Sequence, residues 1–406
     1  MSVARKNATV FCLFLVVSVS GFLLTGCESP GSVGGSFTDP GTQVQDTVFA
    51  VNDVQTDSFT TFSGRLSFFS AGQFNDPLFG DLSARSFIKP SLPGLTSDTL
   101  SSNVQMNLRL LIEDGSIYGD TLSTAEYDLV EIDQIWRGRA VKLNDELELS
   151  QNLVGSFSVD ESTDSLDVPL ASEWVQRYRA YYNTISANRD SLYLYDFHGL
   201  ALVPRNQSKI IPFDPSRVRF VTIDTGSDTS RITPSQWAYT LNRSNTADAP
   251  NGTSKTISTF EKVLKFDLDL SKEDIGTVNI SKVELVFYQN DQALQNSISQ
   301  SSSSARRPVV NSAGLYFSRP EDVPISLSTS SPISRAAYNA ADGSYRFDIT
   351  GFTNGVLLDG TGDEGSFYLT LQSNNGIISS SLLYNDQGPE KKRPKIIVTY
   401  INTKDS

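Results

Sequence analysis

Cysteine is almost missing from this 406-residue chain: there are two, Cys12 and Cys27. Two thiols make no disulfide framework, and with a single histidine, His198, they make no zinc site. A Ser-His-Asp triad would have to use His198, and no Gly-x-Ser-x-Gly elbow supplies its serine. A phosphate loop is missing as well. Gly31-Ser32-Val33-Gly34-Gly35 is not followed by a helical pattern. Positive charge is scarce: 33 Lys and Arg face 46 Asp and Glu, a net charge of −13. That balance excludes non-specific nucleic-acid binding, which needs a cationic surface. Long apolar runs are lacking except between Ala8 and Leu24.

That run follows Arg5 and Lys6 and ends in Leu24-Thr25-Gly26-Cys27. It is short of the roughly 20 residues of a membrane span. A positive start, an apolar middle and a small-residue cleavage site make an export signal. The segment resembles a bacterial lipoprotein signal with its lipobox. The resemblance implies removal of residues 1–26 and a covalent lipid on Cys27. Loss of Arg5 and Lys6 leaves a mature charge of −15, and loss of Cys12 leaves no free thiol. Glu28 follows the cysteine. By resemblance to known sorting rules, an aspartate there would imply inner-membrane retention, so the expected address is the outer membrane, facing the cell surface.

Residues 27–45 are rich in Gly, Ser, Pro and Thr and read as a flexible tether. Strand signals follow. Met106, Leu108 and Leu110 alternate with polar residues, as do Leu264, Phe266 and Leu268. Val283, Leu285 and Phe287 share a face, as do Ile396, Val398 and Tyr400. Period two is the pattern of a strand with one buried face. Leu170, Trp174 and Tyr178 recur every four positions and predict one short helix after Pro169. Leu192 to Phe197 reads as a strand. The Ser- and Gln-rich stretch 291–307 reads as a long loop.

A weak repeat runs through the chain. Ala84–Ile88, Met106–Leu110, Leu166–Val168, Gly199–Leu202 and Arg217–Val221 come in the same order as Val263–Phe266, Lys282–Leu285, Phe347–Ile349, Phe367–Leu371 and Pro394–Val398. The expected fold is all-β: two tandem jelly-roll-like antiparallel sandwiches with one short helix. They would span 46–225 and 226–406, meeting near the turn residues Thr225-Gly226-Ser227-Asp228.

The second half resembles the DNRLRE domain of exported bacterial proteins through Val263–Leu268, Val283-Glu284-Leu285, Phe347–Thr350 and Arg393–Tyr400. That resemblance implies a jelly roll related to carbohydrate-binding modules. The name motif itself is missing. The whole mature chain is similar to a Bacteroidetes-type lipoprotein family, domain of unknown function 4270. The matching pieces are the lipobox, Asn75–Gly80, Tyr118-Gly119-Asp120 and Phe197–Leu200. This family implies location and fold, and no chemistry.

No local signature marks a catalytic pair, although 46 acids leave open two carboxylates at glycosidase spacing. No catalysis, cofactor or histidine-based metal is expected. Calcium stays open at Asp359 and Asp363 in an Asp- and Gly-rich turn. Sugar binding would use exposed aromatic faces, which remove apolar C–H surface from water. The candidates are Trp237 and Tyr239, alternating on one strand, then Trp136, Tyr193 and Tyr195. Trp174, Tyr181 and Tyr182 share the helical segment, where packing is the simpler role. The expected activity is binding of glycan or another extracellular polymer without chemistry. The alternative is a structural lipoprotein docking on an envelope protein through a sheet edge or apolar patch.

Overall fold

The computed structural model describes residues 42–94, 99–112, 114–224, 229–268, 279–323, 327, 330–357, 365–371 and 376–403. Within them the chain is all-β, with large antiparallel sheets and few helices. The alternating residues behave as their period requires. Met106, Leu108 and Leu110 are buried, and so are Val283, Leu285, Phe287, Ile396 and Val398.

Two sets of strands repeat one topology. In the first, β4 (Gly80–Pro90), β10 (Leu200–Pro204), β7 (Ala125–Ile132) and β8 (Leu149–Val159) lie side by side in that order. Their partner sheet runs β13 (Thr229–Ile232), β12 (Arg219–Ile223), β5 (Gln105–Leu111), β9 (Ser165–Pro169). In the second set the row is β16 (Val263–Phe266), β22 (Ser366–Leu371), β19 (Ser312–Ser318), β20 (Ser334–Asn339). Its partner row is β1 (Thr42–Ala50), β24 (Lys395–Thr403), β17 (Asn279–Tyr288), β21 (Ser344–Asp348). The two rows of this set join through the β20–β21 pair. Both sets have jelly-roll order, and the repeated segments of the sequence fall on matching strands.

The chain does not run through the two rolls one after the other. The edge strand beside β24 is β1, from the N-terminal side, paired over nine residues from Thr42↔Thr403 to Ala50↔Lys395. Then β2 (Gln55–Asp57) pairs with β16. The equivalent places in the first roll are taken by β13 on β12 and by β14 (Pro234–Ser244) along β4. The first roll is therefore inserted between β2 and β16, the second and third strands of the other. Strand pairing corrects the expected boundaries: residues 42–57 belong with the C-terminal roll and 229–244 with the N-terminal one. Residues 42–45 are strand rather than tether, because β24 would otherwise present an unpaired edge.

Further strands tie the rolls together. The first sheet extends past β4 through β3 (Phe69–Asp76), β11 (Lys209–Phe213) and β6 (Tyr118–Asp120) to β18 (Ala305–Arg306). A two-stranded sheet pairs β15 (Thr253–Ile257) with β23 (Ser380–Tyr384). Leu78 and Phe79 from the first roll pack with Ile257, Leu294 and Leu382. At this seam Arg307 grips buried Asp76 with two bonds of 2.7 Å. Tyr118 Oη donates to the same carboxylate at 2.7 Å, and the amides of Leu78 and Phe79 close the set.

Among the described residues, three helices of eight residues or more replace the single one expected. The first, α1 (Ser172–Tyr182), buries Trp174, Val175 and Tyr178, as the period of four implied. The second, α2 (Arg189–Asp196), lies where a strand was expected. Its buried residues, Arg189 and Tyr193, are followed by buried Phe197, again at spacing four. Burial of an arginine, whose guanidinium donates to Pro93 O at 2.7 Å, hid that period. The third, α3 (Asp291–Ile298), occupies the expected loop, capped by Asn290 and anchored by Leu294 and Ile298.

Candidate functional site

The aromatic candidates separate sharply by exposure. Tyr239 is fully buried in the first core. Trp136 is buried against Phe87, Ile132, Val141 and Ala238, and its Nε1 donates to His198 O at 2.7 Å. Tyr193 is buried; its hydroxyl donates to Pro90 O at 2.5 Å, and Lys89 Nζ sits 4.5 Å from its ring centre. Trp174 packs on Phe197 and Phe220. These side chains are core anchors, because each large apolar ring gains more from burial than from solvent. Tyr181 and Tyr182 are half-buried against the same cluster. Tyr195 is exposed on α2. Trp237 is half-buried, with Nε1 reaching Leu66 O at 3.4 Å. So alternation put Trp237 and Tyr239 on one face correctly, but only the strand end escapes the core.

Trp237 forms one wall of a cleft of about 350 Å³. Arg137 and Arg139 line it, with Leu194, Ser235 and Gln236. Two glycines complete the lining, Gly64 and Gly138. They are required by the closeness of three backbone segments. A Cβ on Gly64 would lie 1.9 Å from Gly138 O, and one on Gly138 would lie 2.6 Å from Trp237 O. Hydrogen bonds lock these segments to the free edge of β14. Gly138 N donates to Gln236 Oε1 at 3.0 Å, Tyr239 N to Ser63 Oγ at 3.1 Å, and Ser63 N to Val141 O at 2.9 Å. Trp136, driven into the core, fixes the start of the turn that displays Arg137 and Arg139. Both arginines are exposed. Behind Leu194, buried Lys89 donates to the carbonyls of Tyr193 and Leu194 at 2.9 and 3.3 Å. Burial pushes its ammonium down to about 8.

A larger cavity, about 440 Å³, lies at the seam beside α3. Polar groups there already have partners: Tyr338 Oη donates to Asp291 Oδ2 at 2.5 Å, and Arg307 holds Asp76. The Trp237 cleft has the better claim, since Arg137 and Arg139 have no side-chain partner among the described residues. Sequence reasoning singled out Trp237 as a candidate and named neither arginine. The string Trp136-Arg137-Gly138-Arg139 carried the signal: two charges held around a glycine next to a large anchor.

His198 is half-buried, with Nε2 2.8 Å from Tyr195 O, a backbone bond at the end of α2. Asp359, Asp363 and Cys27 lie outside the described residues. Among the described residues no group of three or more His, Cys, Asp or Glu is placed to hold a metal ion. None of their helices is long and apolar enough to cross a membrane.

No known protein family matches the chain, and no curated protein matches it. Among solved structures it is similar to that of the infectious bursal disease virus Gx strain, at 12% identity over 89% of this chain and 75% of the other, with a TM-score of 0.11. It is also similar to that of the Sputnik virophage, at 11% identity over 93% and 88%, with a TM-score of 0.09. Likenesses at this level bear on neither fold nor function here.

Proposed function

We propose that this protein is exported, lipid-anchored through Cys27 in the outer membrane, exposed at the cell surface, and binds glycan there without catalysis. One observation carries the binding reading: a half-buried tryptophan walls a cleft lined by two exposed arginines that have no side-chain partner among the described residues. Stacking on Trp237 would desolvate the apolar face of a sugar ring, while Gln236, Ser235 and the arginines would meet its hydroxyls. No carboxylate lines the cleft, so nothing in it would protonate a glycosidic oxygen. The lipidation reading rests on the Leu24–Cys27 motif alone.

Native gels run with a panel of soluble polysaccharides test the binding. Retardation by at least one polymer, reduced about tenfold or more in apparent affinity by Trp237→Ala, supports it. No retardation by any polymer sinks it. A Cys27→Ser chain should appear unlipidated and leave the membrane fraction.

A second reading, docking on an envelope protein, is favoured by the edge strand β1. Val44 and Val48 on it are 65% and 58% exposed, opposite Ile401 and Ile397. Such an edge offers unpaired backbone groups beside an apolar strip. Photo-crosslinking from position 48 in cells would yield a discrete protein adduct on this reading and none on the first.

A further inference from the structure

The charge around the Trp237 cleft is opposite to that of the molecule. The chain carries 13 more negative than positive charges. Yet the two segments that build the cleft beside β14, residues 62–66 and 136–143, carry Arg65, Arg137, Arg139 and Lys142 and no acid. Lys89 adds a buried positive charge behind Leu194. Arg65 and Lys142 are held over one ring, that of Phe62, at 4.9 and 5.8 Å from its centre. Acids abound elsewhere, and other arginines have taken them: Arg109 with Asp167, Arg177 with Glu131, Arg243 with Glu261. Arg137 and Arg139 have no acid partner among the described residues, and they line one cleft together.

Resting on the glycan-binding reading, we propose that the cleft takes an acidic polysaccharide, one whose sugar rings carry carboxylate or sulfate groups. A ring would lie on Trp237, and its anionic substituent would be forked by Arg137 and Arg139. Guanidinium is planar and always charged, and it binds oxyanions of this geometry in pairs of bonds. The close approach at Gly64 and Gly138 fixes the backbone of the turn that carries the two arginines. The two arginines would attract a polyanion to one place on a molecule whose net charge is negative. Screening follows: binding weakens as salt rises, because the contacts are exposed.

Matched polymers test this. Polygalacturonate is compared with its methyl ester, and dextran sulfate with dextran, by titration with the full mature chain. The expected result is binding of an acidic member and at least about tenfold weaker binding of its neutral partner. The pair that responds tells carboxylate from sulfate. An Arg137→Gln/Arg139→Gln variant should lose the preference for the acidic member. Both side chains are exposed, so its melting temperature should match the parent, which separates lost binding from lost fold. Equal binding of acidic and neutral members overturns the charge inference and leaves glycan binding standing. Binding of no member overturns both. An acidic preference that survives in the double variant also overturns the inference.

Discussion

At the scale of single residues, the seam between the rolls depends on Asp76. Burial alone would raise its carboxyl. The Arg307 hydrogen bonds and charge, the Phe79 amide and the Tyr118 hydroxyl outweigh that and hold it below its usual value of 3.8. The charged form is therefore favoured by folding. Its contribution is present above pH 3.8 and is lost as pH falls through the lower folded value. Arg307→Met would strand the carboxylate, at a cost of about 3–5 kcal/mol. The urea midpoint at pH 7 should fall accordingly, and an unchanged midpoint would show the pair to be inert. Lys89 acts in the opposite sense. Burial lowers it from 10.5 to about 8, so between those values the unfolded chain binds more protons than the folded one. Stability contributed through Lys89 should then rise from about pH 8 towards 10. Lys255, also lowered to about 8 chiefly by burial, adds to the same trend. Urea midpoints at pH 7.5 and 9.5 check the sign, and Lys89→Met should flatten the slope.

Among the elements, β1 and β2 decide the state of the C-terminal roll. They cover β24 and β16, and Val51 and Val54, just past β1, enter its core. A chain beginning at Ser58 would expose the β24 edge and open that core. Backbone amides of β24 should then exchange hydrogen faster by several orders of magnitude, while those of β4, held by β3, β10 and β14, keep most of their protection. Unchanged protection in β24 would show that the ribbon is dispensable. At the cleft, the apposed turns leave no space for a side chain. Gly64→Ala would force apart two backbone segments now in contact. It should lower the melting temperature by several degrees and abolish binding at Trp237.

The whole molecule is one jelly roll set into another. The first and last strands of the described residues lie side by side, so the C-terminal roll is completed only by pairing segments from both sides of the inserted roll. A cluster shared by both rolls and the Arg307–Asp76 pair cross the seam. Calorimetry should therefore show a single transition in the parent. Two resolved transitions would mean that the rolls melt independently. The same arrangement brings β1 beside the last strand. On the lipid-anchor reading, the attachment residue lies 15 positions before Thr42.

Period-two alternation determined the sheets, because one face of each strand must be buried and side chains alternate. The repeat of five strand segments even ordered the two rolls correctly, since matching strands need matching burial. Trp237 was legible as a surface candidate from its place before a polar loop. The sequence could not show that Tyr239, two residues on, lies inside, because alternation names a face and not the depth of its cover. It misread α2, where a buried arginine and two rings share one helical face. Only the tertiary structure decided which strand closes which roll. Edge pairing is a contact between residues some 350 positions apart, and no local pattern records it. Tertiary structure alone also gathered Arg137, Arg139 and Trp237 into one cleft. Those three meet because separate backbones approach at two glycines, and such closeness depends on the packing of the whole sandwich.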